Sequence, residues 1–199
     1  MRRLDLGIMI SFMINKPGRN RMKKYFLIGI PGCGKSTLGQ KIAEVLQVPF
    51  FDTDLLALER MDLDHPFQLF MPSVALQYRN EQIEAIKELH KLDGSAIIAT
   101  GAEVALMPEC AKLMKEMGVI IHIKRQAENV LAEMRNSDKK PMVLRNETDG
   151  TEIIMQEESV RLYAEELIHY EILADLCMDN NGNEEEGVEK LADLINSQA

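Results

Sequence analysis

Residues 25–37 read Tyr-Phe-Leu-Ile-Gly-Ile-Pro-Gly-Cys-Gly-Lys-Ser-Thr, an apolar run that leads directly into the pattern Gly29-x-x-x-x-Gly34-Lys35-Ser36. Glycines in such a loop let successive backbone N–H groups turn towards phosphate oxygens, a geometry that side chains would obstruct. A lysine at this spacing reaches the β- and γ-phosphates, and the hydroxyl after it is a ligand for Mg²⁺. The stretch therefore predicts a nucleotide-binding loop formed by Gly32, Cys33, Gly34, Lys35, Ser36 and Thr37.

The residues on either side of this loop support the prediction. Residues 25–30 form a short apolar run that is typical of a buried parallel strand. After the loop, Leu38, Ile42 and Val45 recur at helical spacing on one face. A helix that begins here turns the positive end of its dipole towards a bound phosphate. This context favours a phosphate loop over the alternative, a glycine-rich turn with a surface lysine.

The composition limits the classes of partner. A chain of 199 residues with 46% hydrophobic content is long enough for one well-buried core and short for two. Its net charge of −9 argues against a nucleic-acid partner, because phosphate backbones bind basic faces. An anionic substrate must therefore be held by local positive charge. The three cysteines are widely spaced, which fits free thiols in the cytoplasm.

The first 21 residues are expected to be a dispensable extension, and residues 22–199 a single domain. The extension carries an arginine pair and an apolar stretch over residues 6–14, a superficial likeness to a secretory signal. That stretch is too short to span a bilayer, so no membrane partner is expected.

The rest of the chain alternates between strand and helix patterns. Further apolar runs at residues 48–51, 96–100, 119–123 and 173–178 predict four more strands. The segments between the strands have apolar residues at helical spacing, and one of them predicts a long helix over residues 152–170. Strands and helices that alternate in this way imply crossover connections and a parallel sheet covered on both faces. The predicted fold class is therefore α/β, a three-layer P-loop NTPase fold with a five-stranded parallel sheet.

Two acidic residues follow the second predicted strand. Asp52 and Asp54 come directly after Phe50-Phe51, at the end of the strand where open parallel sheets bind their ligands. The alternative is that one aspartate caps a helix and the other is a solvated neighbour. A cap accounts for one aspartate but not for the pair.

Residues 136–150 are polar, mixed in charge and rich in turn formers. A loop of this length in a compact domain is usually functional or mobile. In a nucleotide enzyme it would be a lid that closes over the phosphates, and Lys140 lies within it. A plain solvated connection is the alternative.

With these motifs in view, the chain from Met22 onwards resembles the shikimate kinases. The resemblance rests on the phosphate loop, on Phe50-Phe-Asp-Thr-Asp54 and on Tyr78-Arg79. It implies a fold of the nucleoside monophosphate kinase type and transfer of the γ-phosphoryl group of MgATP to the 3-hydroxyl of shikimate, a step of aromatic amino acid biosynthesis. It also implies that Asp54 orients the attacking hydroxyl, that Asp52 lies near Mg²⁺ with Ser36, and that Arg79 binds the substrate carboxylate.

Other family positions are altered here. Of a glycine triplet that contacts substrate, only Gly101 survives, because Ala102 and Glu103 follow it. The lid arginine that touches the γ-phosphate corresponds to Lys140, which keeps the charge but loses the planar two-pronged donor. The arginine associated with adenine falls at Glu133, with Arg135 as a nearby substitute, and a last arginine falls at Glu166. The nucleotide half therefore matches the family better than the carboxylate half.

The leading hypothesis is a monomeric small-molecule kinase that uses ATP and Mg²⁺, with shikimate as the expected substrate. Lys35 and Lys140 would neutralise the transferred phosphoryl group, and Asp54 would act as the base. A kinase of another small hydroxyl compound remains open. So does a nucleotide-binding module that has lost catalysis, which the altered lid and glycine triplet would suggest.

Overall fold

A computed structural model describes residues 23–61, 72–136, 143–145 and 152–198. The predicted extension over residues 1–21 lies outside the described residues, and so does most of the predicted lid. Within the described residues, no helix combines the length and the apolar character needed to cross a membrane.

Five parallel strands form the central sheet, which confirms the predicted fold class. In chain order they are β1 (Lys24–Ile28), β2 (Phe50–Asp52), β3 (Ala96–Ala99), β4 (Gly118–Lys124) and, as the last strand, β7 (Leu176–Asp179). Their order across the sheet is β2-β3-β1-β4-β7. Strands β1 and β3 are buried along their whole length. Burial on both faces explains why they read as continuous apolar runs.

Eight α-helices and one 3₁₀ turn are present in the described part of the chain. The helices are α1 (Lys35–Leu46), α2 (Thr53–Leu58), α3 (Pro72–Lys91), α4 (Pro108–Met117), α5 (Ala127–Arg135), α6 (Met155–Ala164), α7 (Leu167–Leu173) and α8 (Glu184–Asn196), and the 3₁₀ turn is Val104–Leu106. Helix α1 packs on the sheet beside α8, whereas α3, α4 and the 3₁₀ turn form a separate group that also contacts α7. The two groups cover the sheet in the way expected for crossover connections.

The C-terminal third differs from the prediction in two places. The helix expected over residues 152–170 is instead a short strand, β6 (Glu152–Ile154), followed by α6 and the start of α7. The last strand begins at Leu176 and not at residue 173, because Leu173 is still helical. Asp175 determines this start, since its backbone N–H and its carboxylate both bond to Ile120 on β4.

A short antiparallel pair lies at the predicted lid. Strand β5 (Val143–Arg145) falls inside residues 136–150 and pairs with β6, which directly follows them. The sequence did not predict either strand, because three-residue strands carry too short a pattern to be recognised.

Candidate active site

The phosphate loop connects β1 to α1 at the carboxyl edge of the sheet. Gly32 and Gly34 have φ of 75° and 104°, a backbone conformation that favours glycine. A Cβ at Gly34 would lie 2.5 Å from Asn180 Nδ2, so this position also lacks room for a side chain. The loop therefore has the tight, glycine-dependent shape that its sequence predicts.

Lys35 is bound to its own loop in the structure. Its side chain is buried, and Nζ donates to the carbonyl oxygens of Gly29 at 2.8 Å and Ile30 at 2.9 Å. The side chain of Cys33 is also fully buried, so this residue offers only its backbone to a ligand. The carbonyl oxygen of Cys33 accepts a hydrogen bond of 2.8 Å from Asn180.

A cavity of about 520 Å³ opens above the loop. A volume of this order suits a nucleotide-sized ligand. Five of the predicted nucleotide-binding residues lie in its wall, namely Gly32, Gly34, Lys35, Ser36 and Thr37. The remaining wall consists of Leu38, Arg125, Glu133, Asn180, Gly182, Asn183 and Glu184.

Ser36 and Asp52 meet at the edge of this cavity. The Ser36 hydroxyl donates to Asp52 Oδ2 at 2.6 Å, which brings together the two residues predicted to bind metal. Asp52 Oδ1 accepts from the backbone N–H groups of Asp54 at 3.0 Å and Leu55 at 3.4 Å, so Asp52 also caps α2. The Asp52 carboxylate thus has both of the roles considered from the sequence. Its Oδ2 contacts Ser36 of the phosphate loop, and its Oδ1 caps the helix.

This pair fits the ligand chemistry of Mg²⁺. Magnesium is usually held by one or two carboxylates, water and substrate phosphates, and not by a complete protein cage. Ser36 and Asp52 offer two hard oxygen donors close together. No group of three or more His, Cys, Asp or Glu side chains suited to a metal occurs in the described parts of the chain, so a site here would depend on phosphate oxygens for further ligands.

Asp54 is partly buried beside that pair. Burial raises the pKa of its carboxyl group, the nearby charge of Asp52 raises it further, and hydrogen bonds with Tyr78 and Gln82 lower it. The Gln82 amide nitrogen lies 2.6 Å from Asp54 Oδ1. A carboxylate with a raised pKa, held by two neighbours at a ligand-binding edge, is suited to act as a general base.

Gly101 lies directly against Asp54. A Cβ at position 101 would collide with Asp54 Oδ1 and with Gln82 Nε2. The backbone N–H of Gly101 donates to Thr53 Oγ1 at 2.8 Å, which fixes the end of β3 to the start of α2. There is therefore no room for a side chain at position 101, which explains why this glycine of the triplet is retained.

Arg79 is paired with an acidic residue and is not free. Its guanidinium forms an ion pair with Glu103, the residue that stands where the family pattern has the last glycine of the triplet. Arg79 follows Tyr78 on α3, and Tyr78 is hydrogen-bonded to Asp54. The positive charge of Arg79 also acts on Tyr163, where it opposes the burial that raises the pKa of that phenol.

Arg135 does not line the nucleotide cavity. Its guanidinium makes a bidentate pair with Glu157, at 2.8 and 2.7 Å, and thereby joins the end of α5 to α6. Arg125 lines this cavity, with its guanidinium between the Gly32 carbonyl and Glu133. The predicted role of Arg135 in nucleotide binding stays a prediction, and only the fold could show which arginine lines this cavity.

Several site residues had weak or no signals in the sequence. Lys140 lies outside the described residues, so its predicted role stays a prediction. Asn180, Gly182 and Asn183 also line the cavity, and their composition indicates only a turn, although a turn at the carboxyl end of the last strand must reach the same edge. Glu166 pairs with His169 at 2.6 Å on α7.

Comparisons with known proteins agree with this geometry. A family model described as shikimate kinase matches residues 31–196. A shikimate kinase from Clostridium botulinum is 31% identical over 172 residues, which cover 86% of this chain and 96% of that protein. A shikimate kinase from Clostridium beijerinckii is 34% identical over 158 residues, with coverage of 79% and 86%.

A solved structure supports the fold independently. The structure titled shikimate kinase from Acinetobacter baumannii in complex with shikimate has a TM-score of 0.72 to this chain at 20% identity, and the match covers 89% of this chain and 95% of that one. At this identity the likeness concerns the fold alone. The family model over residues 31–196 and the relatives above 30% identity show that the chain belongs to the shikimate kinase family of small-molecule kinases.

Proposed function

We propose that this protein transfers the γ-phosphoryl group of ATP to a hydroxyl group of shikimate, giving shikimate 3-phosphate. The substrate is taken from the names of the relatives, and the reaction type follows from the family. The proposal also includes Mg²⁺ as the metal, a cytoplasmic location, a monomeric state and a role in aromatic amino acid biosynthesis.

The observation that carries the proposal is the position of Asp54. It is two residues from Asp52, whose carboxylate binds Ser36 of the phosphate loop, and its own carboxylate is partly buried beside Gly101. A base for the acceptor hydroxyl therefore lies next to the site for the phosphoryl donor. Phosphoryl transfer depends mainly on such positioning and on charge stabilisation.

On the donor side, Lys35 would leave the carbonyls of Gly29 and Ile30 and bind phosphate oxygens. An ammonium group gives those oxygens stronger, charge-assisted hydrogen bonds. Ser36 and Asp52 would hold Mg²⁺, which neutralises charge on the phosphates when it is bound. Lys140 is proposed to approach the same phosphates from the lid.

On the acceptor side, the ionised form of Asp54 would orient the attacking hydroxyl and take its proton. The hydrogen bonds with Tyr78 and Gln82 hold the carboxylate while it does so. Gly101 leaves room for the Asp54 carboxylate and the Gln82 amide, and Arg79 is proposed to bind the acceptor carboxylate.

The test is phosphorylation of shikimate by the purified full chain with ATP and Mg²⁺, followed by mass detection of the product. Asp54→Asn should lower kcat by about 10²–10⁴-fold, the usual effect of losing a general base, while the ATP affinity changes little. Efficient phosphorylation of a neutral polyol or a nucleoside with no reaction on shikimate would contradict the substrate. Binding of ATP without turnover on any acceptor would support the alternative of a nucleotide-binding module.

A further inference from the structure

The ion pair between Arg79 and Glu103 lies at the proposed acceptor site. Arg79 is adjacent in sequence to Tyr78, which hydrogen-bonds Asp54. Glu103 is two residues beyond Gly101, whose missing Cβ leaves room for the Asp54 carboxylate. The pair therefore belongs to the same group of residues as the proposed base.

The position of Glu103 is fixed by its backbone. On the preceding side, the Gly101 N–H donates to Thr53 and the Ala102 carbonyl accepts from the Tyr170 hydroxyl at 3.0 Å. On the following side, Glu103 begins the 3₁₀ turn, where its carbonyl accepts from the Leu106 N–H at 2.9 Å. Its side chain is 26% exposed, against 52% for the Arg79 side chain. The carboxylate is thus held against the arginine by a rigid segment.

A carboxylate from a ligand and the carboxylate of Glu103 would compete for the same donors. The guanidinium of an arginine binds a carboxylate best in a planar, two-pronged arrangement. An acceptor carboxylate that approaches Arg79 while Glu103 remains in place would lose part of this arrangement and would be repelled by the negative charge. A neutral acceptor would meet neither obstacle.

Resting on the proposed function, we infer that Glu103 is a specificity-determining residue: it occupies Arg79 as an internal carboxylate, and an anionic acceptor binds only by displacing it. Arg79 is then already bound to an internal carboxylate, and this competition reduces its affinity for the acceptor. A chain of this kind discriminates less strongly in favour of acidic acceptors than one in which the arginine is free.

The test compares the affinity of two ligands that differ in one charge. Binding of shikimate and of its neutral methyl ester is measured by titration calorimetry on the full chain and on Glu103→Gln. The variant should bind shikimate about 10-fold more tightly, the effect of one recovered charge-assisted hydrogen bond, and the ester with unchanged affinity. Glu103→Ala, which leaves no side-chain acceptor for Arg79, should tighten shikimate binding at least as much.

The matched control is Glu116→Gln, which removes the same charge. Glu116 is exposed near the end of α4, where the chain enters β4 at the opposite edge of the sheet from the site. It should leave both affinities unchanged.

Equal or weaker binding of shikimate to both Glu103 variants would overturn the inference, because the residue would then support Arg79 and not mask it. Turnover with ATP is measured separately on the same proteins. Tighter binding without product formation would sustain the inference and reject the proposed function. Product formation with unchanged affinities would sustain the proposed function and reject the inference about Glu103.

Discussion

At the scale of single residues, the acceptor side is governed by what surrounds the Asp54 carboxylate. Burial and the neighbouring Asp52 favour the neutral acid, whereas donors from Tyr78 and Gln82 favour the charged base. The balance leaves the pKa of Asp54 raised. Because only the ionised form can take a proton, activity should fall on the acid side as the pH drops through this raised pKa.

A substitution at Gln82 should change the pKa of Asp54. Gln82 is buried on α3, its amide nitrogen binds Asp54 Oδ1, and its Oε1 has no hydrogen-bond partner in the described part of the chain. Gln82→Leu removes a donor that favours the charged form, so it should raise the pKa of Asp54 further. The acid limb of the profile of kcat/KM against pH should therefore move to higher pH, with the ATP affinity unchanged.

A residue that served packing alone would not shift this limb. Gln82→Leu with lower activity but an unmoved acid limb would contradict the assignment of Asp54 as the titrating base. Gln77→Leu, the same substitution at an exposed position of α3, is the control and should leave the acid limb unmoved.

At the scale of whole elements, the phosphate loop depends on the last strand as well as on its own sequence. Asn180 directly follows β7, its backbone N–H donates to the Lys124 carbonyl at 2.7 Å, and its side chain donates to the Cys33 carbonyl. Asn180 is buried and 147 residues distant in sequence from Cys33. The C-terminal strand and turn thus help to shape a loop near the start of the chain.

Asn180→Ala should weaken both the fold and the loop. The Cys33 carbonyl would lose its side-chain donor in a buried place, which typically costs about 1–3 kcal/mol of the free energy of unfolding. The melting temperature should fall, and the KM for ATP should rise more than the KM for the acceptor. Asn181→Ala, in the same turn, removes hydrogen bonds from Gln126 and Asn129 but none to Cys33, and it is the control for a general effect on the turn.

An unchanged KM for ATP in a destabilised Asn180→Ala protein would show that the loop keeps its shape without this hydrogen bond. The contribution of β7 would then be limited to stability.

The elements also show how far the sequence could predict the fold and the site. Buried parallel strands and the phosphate loop are local patterns, so all five strands could be predicted, whereas the association of Ser36 with Asp52 came from the family resemblance. The last strand was displaced because Leu173 continues the apolar run while its backbone is still helical. Pairs such as Arg79 with Glu103 join distant segments, and no local pattern reports them.

At the scale of the whole molecule, an acidic chain with a net charge of −9 has to bind anionic ligands. The site supplies local positive charge, but each described cation there already has an acceptor. Lys35 is bound to loop carbonyls, Arg79 to Glu103 and Arg125 to Glu133. Ligand binding would therefore exchange internal partners for phosphate or carboxylate oxygens, and specificity depends on how easily each partner is displaced.

The central sheet also contains a titratable group that no proposed step uses. His122 lies on β4 between β1 and β7, is 1% exposed, and neither ring nitrogen has a hydrogen-bond partner in the described residues. Its ring lies 5.4 Å from that of Tyr170. Burial, together with the charge of Lys124, lowers the pKa of His122 from 6.5 to about 4. The folded state therefore holds this imidazole neutral.

This burial should make the whole fold sensitive to acid. Between pH 6.5 and about 4 the unfolded chain binds a proton at His122 that the folded chain does not, so the free energy of unfolding falls as the pH drops through this window. In His122→Leu this loss should be smaller by a few kcal/mol, since one pKa unit corresponds to about 1.4 kcal/mol. Chemical denaturation of both proteins at several pH values measures how steeply the free energy of unfolding depends on pH, and any constant packing cost of the substitution cancels.

His90→Leu, a change at an exposed histidine on α3, should keep the wild-type slope. Equal slopes for wild-type protein and His122→Leu would mean that the folded protein accepts the proton at His122, and that carboxyl groups elsewhere account for its acid sensitivity.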